Sequence, residues 1–136
     1  MQQADQKVVE FLAEPHLATL ATIRKSGIPH LSYLWFVYDG QDILMSTLKE
    51  RIKAQNLKRD PRATVAIVDA RNAFRWVIAE GRVEVTDDTD YPFLEKLIAK
   101  GEGPERAKAY VQQNRQQGAN RVVLRFRPER LWSRGL

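Results

Sequence analysis

The ten residues at 29–38, P-H-L-S-Y-L-W-F-V-Y, are apolar on both faces of an extended chain. One face reads His30, Ser32, Leu34, Phe36 and Tyr38; the other reads Leu31, Tyr33, Trp35 and Val37. A strand with one wet side alternates between apolar and polar residues. This one does not, so its outer face has to be covered, by a helix or by another subunit. A dimer is the expectation that follows.

The flanking segments supply more strands and tight links. L-A-T-L-A-T-I-R at 17–24 reads as a strand, and Ser26 and Gly27 supply a turn. Asp39 and Gly40 predict a two-residue hairpin of type I′, in which both central residues take positive φ. Residues 43–47 and 62–68 are further β runs, with a polar loop at 69–73. The run at 75–86 is a long strand whose second half alternates Gly81, Val83 and Val85 against Glu80, Arg82 and Glu84. The strand at 121–127 turns Val122, Leu124 and Phe126 inward and Arg121, Arg125 and Arg127 outward.

Helices are predicted at 4–13, 50–59, 88–100 and 105–117. The first has Val8, Val9, Phe11 and Leu12 as its apolar side and ends at Pro15; Gly101-Glu102-Gly103-Pro104 divides the last two. Six strands with short links make the chain mainly β. The expected fold is a six-stranded antiparallel barrel, closed or split, with peripheral helices, in a single domain over 1–136.

Composition removes several function classes. The chain has no cysteine, which excludes disulfides, thiolate nucleophiles and Cys-based metal sites. Only His16 and His30 are present, so no His-rich metal site is expected. No apolar run approaches the ~20 residues of a membrane span. The start, M-Q-Q-A-D-Q-K, has no apolar signal core, so a cytoplasmic location is expected. The net charge is +5, with six Lys/Arg within 49–62 and five Arg within 121–134. Such charge suits nucleic acid or an anionic small ligand. A nucleic-acid sheet interleaves aromatics with cations. Here Phe126 lies opposite the arginines of its strand, which disfavours that class.

The segment at 44–63, L-M-S-T-L-K-E-R-I-K-A-Q-N-L-K-R-D-P-R-A, brings hydroxyls and cations together at a helix start. Thr47 and Glu50 have the spacing of a capping box, which would make Thr47 simply the first cap. The same hydroxyls with Arg51 and Lys53 could hold a phosphate at the positive end of the helix. Lys58, Arg59 and Arg62 read as a solvated face. His30 has no acidic partner or nucleophile nearby, and Ser32 lacks a nucleophile elbow, so neither supports a triad. Asp87-Asp88-Thr89-Asp90 lacks the spacing of a calcium loop and reads as an acidic helix start. With no acid–base constellation, any reaction is expected to be carried by a cofactor.

These motifs, taken together, resemble the pyridoxamine phosphate oxidase-like superfamily of flavin-binding split barrels, and within it the deazaflavin-dependent group. The resemblance rests on F-L-A-E-P-H-L-A-T-L-A-T at 11–22, G-I-P-H-L-S-Y-L-W-F at 27–36 and the segment at 44–63. It extends through R-W-V-I-A-E-G-R-V-E-V at 75–85 and R-V-V-L-R-F-R-P-E-R at 121–130, leaving out only the helical stretch near 90–118. It implies a split-barrel homodimer with cofactor sites at the interface. By position, Ser46, Thr47, Arg51 and Lys53 would hold the cofactor phosphate. Pro29, His30, Leu31 and Ser32 would line the ring. Trp76, with Phe74 beside it, would approach from the other subunit. The implied cofactor is coenzyme F420, a deazaflavin, or else FMN. Ile52 separates Arg51 from Lys53, a spacing that resembles the deazaflavin users rather than the flavin oxidases. The implied activity is hydride transfer to an electron-poor small molecule, with no catalytic residue assigned and the proton coming from solvent or a hydroxyl such as Tyr33; the alternatives are an FMN-dependent oxidoreductase on the same fold or a non-catalytic binder that stores or senses the cofactor.

Overall fold

Period-two burial sets the sheet. Ala18, Leu20 and Thr22 are buried along one strand, Ala63, Val65 and Ile67 along another, and Val122, Leu124 and Phe126 along a third. The computed structural model describes residues 5–136, so the expected helix start at residue 4 lies outside the described residues. In chain order the elements are α1 (Gln6–Ala13), β1 (Ala18–Ile23), β2 (Pro29–Leu34), β3 (Val37–Tyr38), β4 (Ile43–Leu48), α2 (Ile52–Arg59), β5 (Arg62–Asp69), β6 (Asn72–Asp87), α3 (Pro92–Glu102), α4 (Pro104–Gln117) and β7 (Arg121–Arg134). The strands form one antiparallel sheet in the order β2-β1-β5-β6-β7-β4-β3. It curls around one core that includes Phe11, Leu20, Phe36, Met45 and Phe126, and the fold is a split β-barrel.

The curl depends on a bend shared by the two long strands. The β6–β7 register shifts between Glu80 and Gly81, leaving Glu129 as an extra residue. A Cβ on Gly81 would collide with the carbonyl of Arg127, so only glycine lets the strands close up there. Pro128 sits opposite Gly81 at this bulge, where a missing N–H breaks no ladder bond. The last strand therefore passes through Pro128 to Arg134 and is longer than the expected 121–127.

Seven strands form where six were expected, because the segment at 29–38 is not continuous. It breaks at Trp35 and Phe36 into β2 and β3. Phe36 turns into the core at 2% exposure, while Trp35 lies over Gly101 of α3, where an added Cβ would stand 3.6 Å from its ring. Lys100 fixes the same joint, donating to the Phe36 carbonyl at 3.2 Å and lying over its ring. A helix covers the outer face only here. Leu31 and Tyr33 stay 61% and 76% exposed.

The hairpin at Asp39 and Gly40 exists, but its turn is not type I′. Only Gly40 has positive φ, and the loop spans four residues, with the Asp39 N–H donating to the Asp42 carbonyl. The Asp39 carboxylate accepts from the N–H groups of Gln41 and Asp42, satisfying the turn from a side chain instead. The capping box does not form either. Helix α2 starts at Ile52 with Arg51 at its N-cap and no side-chain cap, while Thr47 stays in β4. The expected break at 101–104 narrows to Gly103, since α3 runs through Gly101 to Glu102. The acidic helix start is observed: Asp88, 4% exposed, accepts from the N–H groups of Phe93 and Leu94 at the head of α3.

Candidate functional site

The barrel is split between its two end strands. β2 has β1 on one side and no strand on the other. β3 covers only Ile43 and Leu44 of β4, so Met45–Leu48 is open on that side. Two unpaired strand edges thus face a cleft of about 470 Å³, to which β2 contributes Tyr33 and Leu34, and β4 Ser46, Thr47 and Leu48. Open edges present unused backbone donors and acceptors, which are suited to a polar planar group.

The floor of the cleft is cationic. Arg51 and Lys53 reach it from the start of α2, with exposed Ile52 between them pointing to solvent. Arg121 reaches it from the start of β7, where it pairs with Leu48. Among the described residues, no ion pair involves Arg51, Lys53 or Arg121. Burial, then the charges of Arg51 and Arg121, hold the Lys53 amine below the usual lysine value. Three cations share one cleft with no acid to offset them, and an anion entering it would relieve their repulsion.

The hydroxyls are just as incomplete. Four buried side-chain polar atoms lack any partner among the described residues: Ser46 Oγ, Ser32 Oγ, His30 Nδ1 and Tyr38 Oη. A buried polar group without a partner costs about 1–3 kcal/mol. Three of these four belong to residues singled out from the sequence. His30 and Ser32 face the barrel interior, opposite Thr22 and Leu20 on β1. Burial, with Arg24 and Lys53 nearby, pushes the His30 imidazole below its usual value, so it is neutral near pH 7.

The other expected site residues lie elsewhere. Leu31 projects outward opposite Ala21. Pro29 lines a separate hollow with Arg62, Arg82 and Glu129. Trp76 lies on β6 opposite Val68 and Arg134, Phe74 is 71% exposed, and neither lines the cleft of its own chain. The structure therefore brings together Ser46, Thr47, Arg51 and Lys53, sets His30 and Ser32 behind them, and leaves Pro29, Leu31, Phe74 and Trp76 apart.

The wall facing β4 comes from the helical stretch that the sequence resemblance left out. Leu94, Leu97 and Ile98 of α3 are buried against the cleft, with Tyr110 of α4 beside them. Arg121 is held by Asn114 Oδ1 at 2.9 Å and the Tyr110 hydroxyl at 2.9 Å. Asn114, Tyr110 and Arg121 were missed as a group. The available signal was Asn114 itself, a polar residue on the apolar stripe of Ala107 and Val111.

One further cluster carries no site. Glu14, His16 and Asp69 converge, but Arg75 bonds both carboxylates and His16 bonds Glu14 at 2.8 Å. The group ties the end of α1 to β5 and β6 as an ion network.

The site is thus a split β-barrel with hydroxyls on an open strand edge and uncompensated cations beside it. The chain belongs to the pyridoxamine 5'-phosphate oxidase family, whose profile matches residues 4–135. It is 35% identical over 82 residues to the F420H(2)-dependent biliverdin reductase of Mycobacterium tuberculosis, covering 59% of this chain and 58% of that protein. The chain spans about half the length of the curated relatives it matches. Among solved structures, an F420 reductase superposes with a TM-score of 0.75 at 27% identity, covering 90% of this chain and 94% of the other. A conserved hypothetical protein of Mycobacterium tuberculosis superposes with a TM-score of 0.78 at 28% identity, covering 96% and 84%. No helix among the described residues is long and apolar enough to cross a membrane.

Proposed function

We propose that this chain is an oxidoreductase that binds coenzyme F420 in the split of its barrel and directs hydride transfer to an electron-poor small molecule. The observation that carries this reading is the conjunction in one cleft of three unneutralised cations with the orphaned Ser46 hydroxyl. The donor set fits a phosphate, since Ser46, Thr47, Arg51 and Lys53 are all donors and none is already engaged by an acid. The names of the similar proteins, an F420H(2)-dependent biliverdin reductase and an F420 reductase, favour a deazaflavin. FMN is the second reading, favoured by the family's description as an oxidase of pyridoxamine 5'-phosphate.

When bound, the deazaflavin supplies the hydride. The protein's residues bind and orient. Ser46, Thr47, Arg51 and Lys53 anchor the phosphate, and the open edge of β2 supplies backbone groups for the ring. His30 and Ser32 stand behind that edge with polar atoms to spare. The wall of Leu94, Leu97 and Ile98 keeps water from one side of the cleft. Tyr33 lines the cleft, its hydroxyl without a partner among the described residues, and can give a proton there.

The same reading includes a second copy of the chain. Tyr33, Thr19, Ala66, Ile78 and Trp132 stand in one register row across five strands. Leu31, Val68 and Trp76 flank that row, and Tyr33 and Trp132 are 76% and 45% exposed. An exposed row of this kind, rimmed by Glu80, Arg130 and Arg134, suits an interaction surface. Tyr33 belongs both to the row and to the cleft, so a partner seated on the face adjoins the site and can bring its own Trp76 and Phe74 to it. Cytoplasmic activity accords with this reading.

Titration with F420 and with FMN, followed by ligand fluorescence and anisotropy, tests the function. Micromolar binding of F420 alone supports the first reading, binding of FMN alone supports the second, and binding of neither rejects both. Arg51→Ala should weaken the cofactor by roughly 1.5–3 kcal/mol, the range for a hydrogen bond to a charged group.

A further inference from the structure

The hairpin of α3 and α4 is packed as a body of its own. Tyr91, Leu94, Ile98, Ala107 and Val111 form its core. Among the described residues, the barrel core takes nothing from either helix. The Tyr91 hydroxyl closes the hairpin at its base, bonding the carbonyls of Asn114 and Ala119. A unit that buries its apolar side chains against itself can move without opening the barrel.

Its two links to the barrel lie side by side, as an axle does. One follows the end of β6 and the other precedes β7, and Asp87 pairs with Val122 across those two strand ends. Each link holds left-handed backbone: Asp90 and Tyr91 both have a φ of 64°, and Gly118 has a φ of 60°. Among the described residues, Asp90 and Tyr91 are the only non-glycine residues with positive φ. A Cβ makes that conformation unfavourable, and strained backbone of this kind gathers at segments that switch. The polar ties at this end run from Asp88 to the N–H groups of Phe93 and Leu94, and from Arg121 to Asn114 and Tyr110. Both anchor residues sit at the axle itself, so these ties turn with the hairpin.

The far end is held by a small latch. Lys100 stands along α3 from Pro92 by roughly 12 Å, at about 1.5 Å per residue. Its amine donates to the Phe36 carbonyl and lies over the Phe36 ring, and Trp35 covers Gly101 beside it. Between axle and latch, Leu94, Leu97 and Ile98 line the cleft. We propose that the α3–α4 hairpin is a hinged lid on the cleft, turning at Asp90–Tyr91 and Gly118 and latched by Lys100 and Trp35 to the kink between β2 and β3. This goes beyond the choice of cofactor and rests only on the cleft being where a ligand binds. Swung out, the hairpin clears a path to the open strand edges. Swung in, its apolar side covers the ligand and keeps water from it.

The chain has no cysteine, so a pair of spin labels can be placed on the intact protein at will. Lys108→Cys on α4 and Gln41→Cys on the β3–β4 turn are both exposed and report the distance from lid to barrel. Lys25→Cys with Gln41→Cys reports the barrel alone. Labelled chains are diluted with unlabelled ones, so that only distances within one chain are read by electron double resonance. Without ligand, Lys100→Ala should raise the population at the longer lid–barrel distance by roughly five-fold, the worth of one lost hydrogen bond. The barrel pair should not change. Saturating F420, or FMN if only FMN binds, should remove the longer distance in the natural chain and in Lys100→Ala. A single, unchanged lid–barrel distance in ligand-free Lys100→Ala overturns the proposal. So does a longer distance that also appears in the barrel pair, which would mean general loosening, or one that persists with ligand bound. If neither cofactor binds, the oxidoreductase reading has failed, while the ligand-free comparison still decides whether the hairpin is hinged and latched.

Discussion

Replacing Ser46 by alanine should stabilise the empty protein and weaken the loaded one. Ser46 is 8% exposed and its Oγ has no partner. Removing a buried unpaired hydroxyl recovers about 1–3 kcal/mol. Against this stand a few lost contacts of ~0.1–0.2 kcal/mol each. The net gain is about 1 kcal/mol, which raises the melting midpoint of a domain this size by about 3 °C. Binding moves the other way. Losing a donor to a charged phosphate costs roughly 1.5–3 kcal/mol, so Kd rises about ten-fold or more. At a cofactor concentration of about 100 times the natural Kd, the natural chain gains ~2.7 kcal/mol while a variant ten-fold weaker gains only ~1.4. The variant's lead of about 1 kcal/mol is then cancelled. The contrast is Thr22, 1% exposed, whose Oγ1 accepts from Asn56 at 3.1 Å. Thr22→Val should cost about 1–3 kcal/mol, because it strands a buried amide. Thermal melts with and without F420 measure all of this. A lower midpoint for empty Ser46→Ala, or an unchanged cofactor affinity, refutes the view that this hydroxyl is kept for a ligand.

Two other perturbations probe separate parts of the molecule. His30 has its folded-state value pushed below 6.5, so between that lowered value and 6.5 the unfolded chain binds more protons. Its contribution to stability is whole above about pH 6.5 and is lost as the pH falls through the window below it. His30→Gln should therefore flatten the midpoint-versus-pH curve between about pH 7.5 and 5.5, and superimposable curves would dismiss the assignment. Tyr33→Glu with Trp132→Glu places like charges on the exposed sheet row. Sedimentation should show the natural chain as a dimer and this variant as a monomer with weaker cofactor binding; a natural chain that is monomeric at micromolar concentration removes the proposed interface.

The short strands and their links could be read directly, because the buried positions of β1, β5 and β7 alternate as a one-sided sheet demands. Two misreadings come from contacts distant in sequence. Pro128 looks like a strand end, yet it is tolerated opposite Gly81, a residue 47 positions earlier that makes room for it. Thr47 and Glu50 have capping spacing, but Thr47 is held in β4 by pairing with Val122, and the helix is delayed to Ile52. In both cases tertiary pairing outweighs a local preference of about 1 kcal/mol.

The segment at 29–38 links these misreadings to the site. Two apolar faces on one strand were expected to mean that both are covered. The chain instead bends at Trp35 and Phe36, giving part of the segment to the core and part to α3, and Leu31 and Tyr33 are left in solvent. That bend is also what opens the cleft. A straight strand over ten residues could have paired with β4 along its length and closed the barrel. Breaking it restricts the β3–β4 pairing to two residues and leaves the edge from Met45 to Leu48 free. The residues that looked over-hydrophobic for one sheet and the hydroxyls that looked like a helix cap therefore belong to the same device. The kink leaves buried Ser46 and Thr47 on an unpaired strand edge lining the cleft, and Leu31 and Tyr33 beside it on the exposed face proposed above for a second copy.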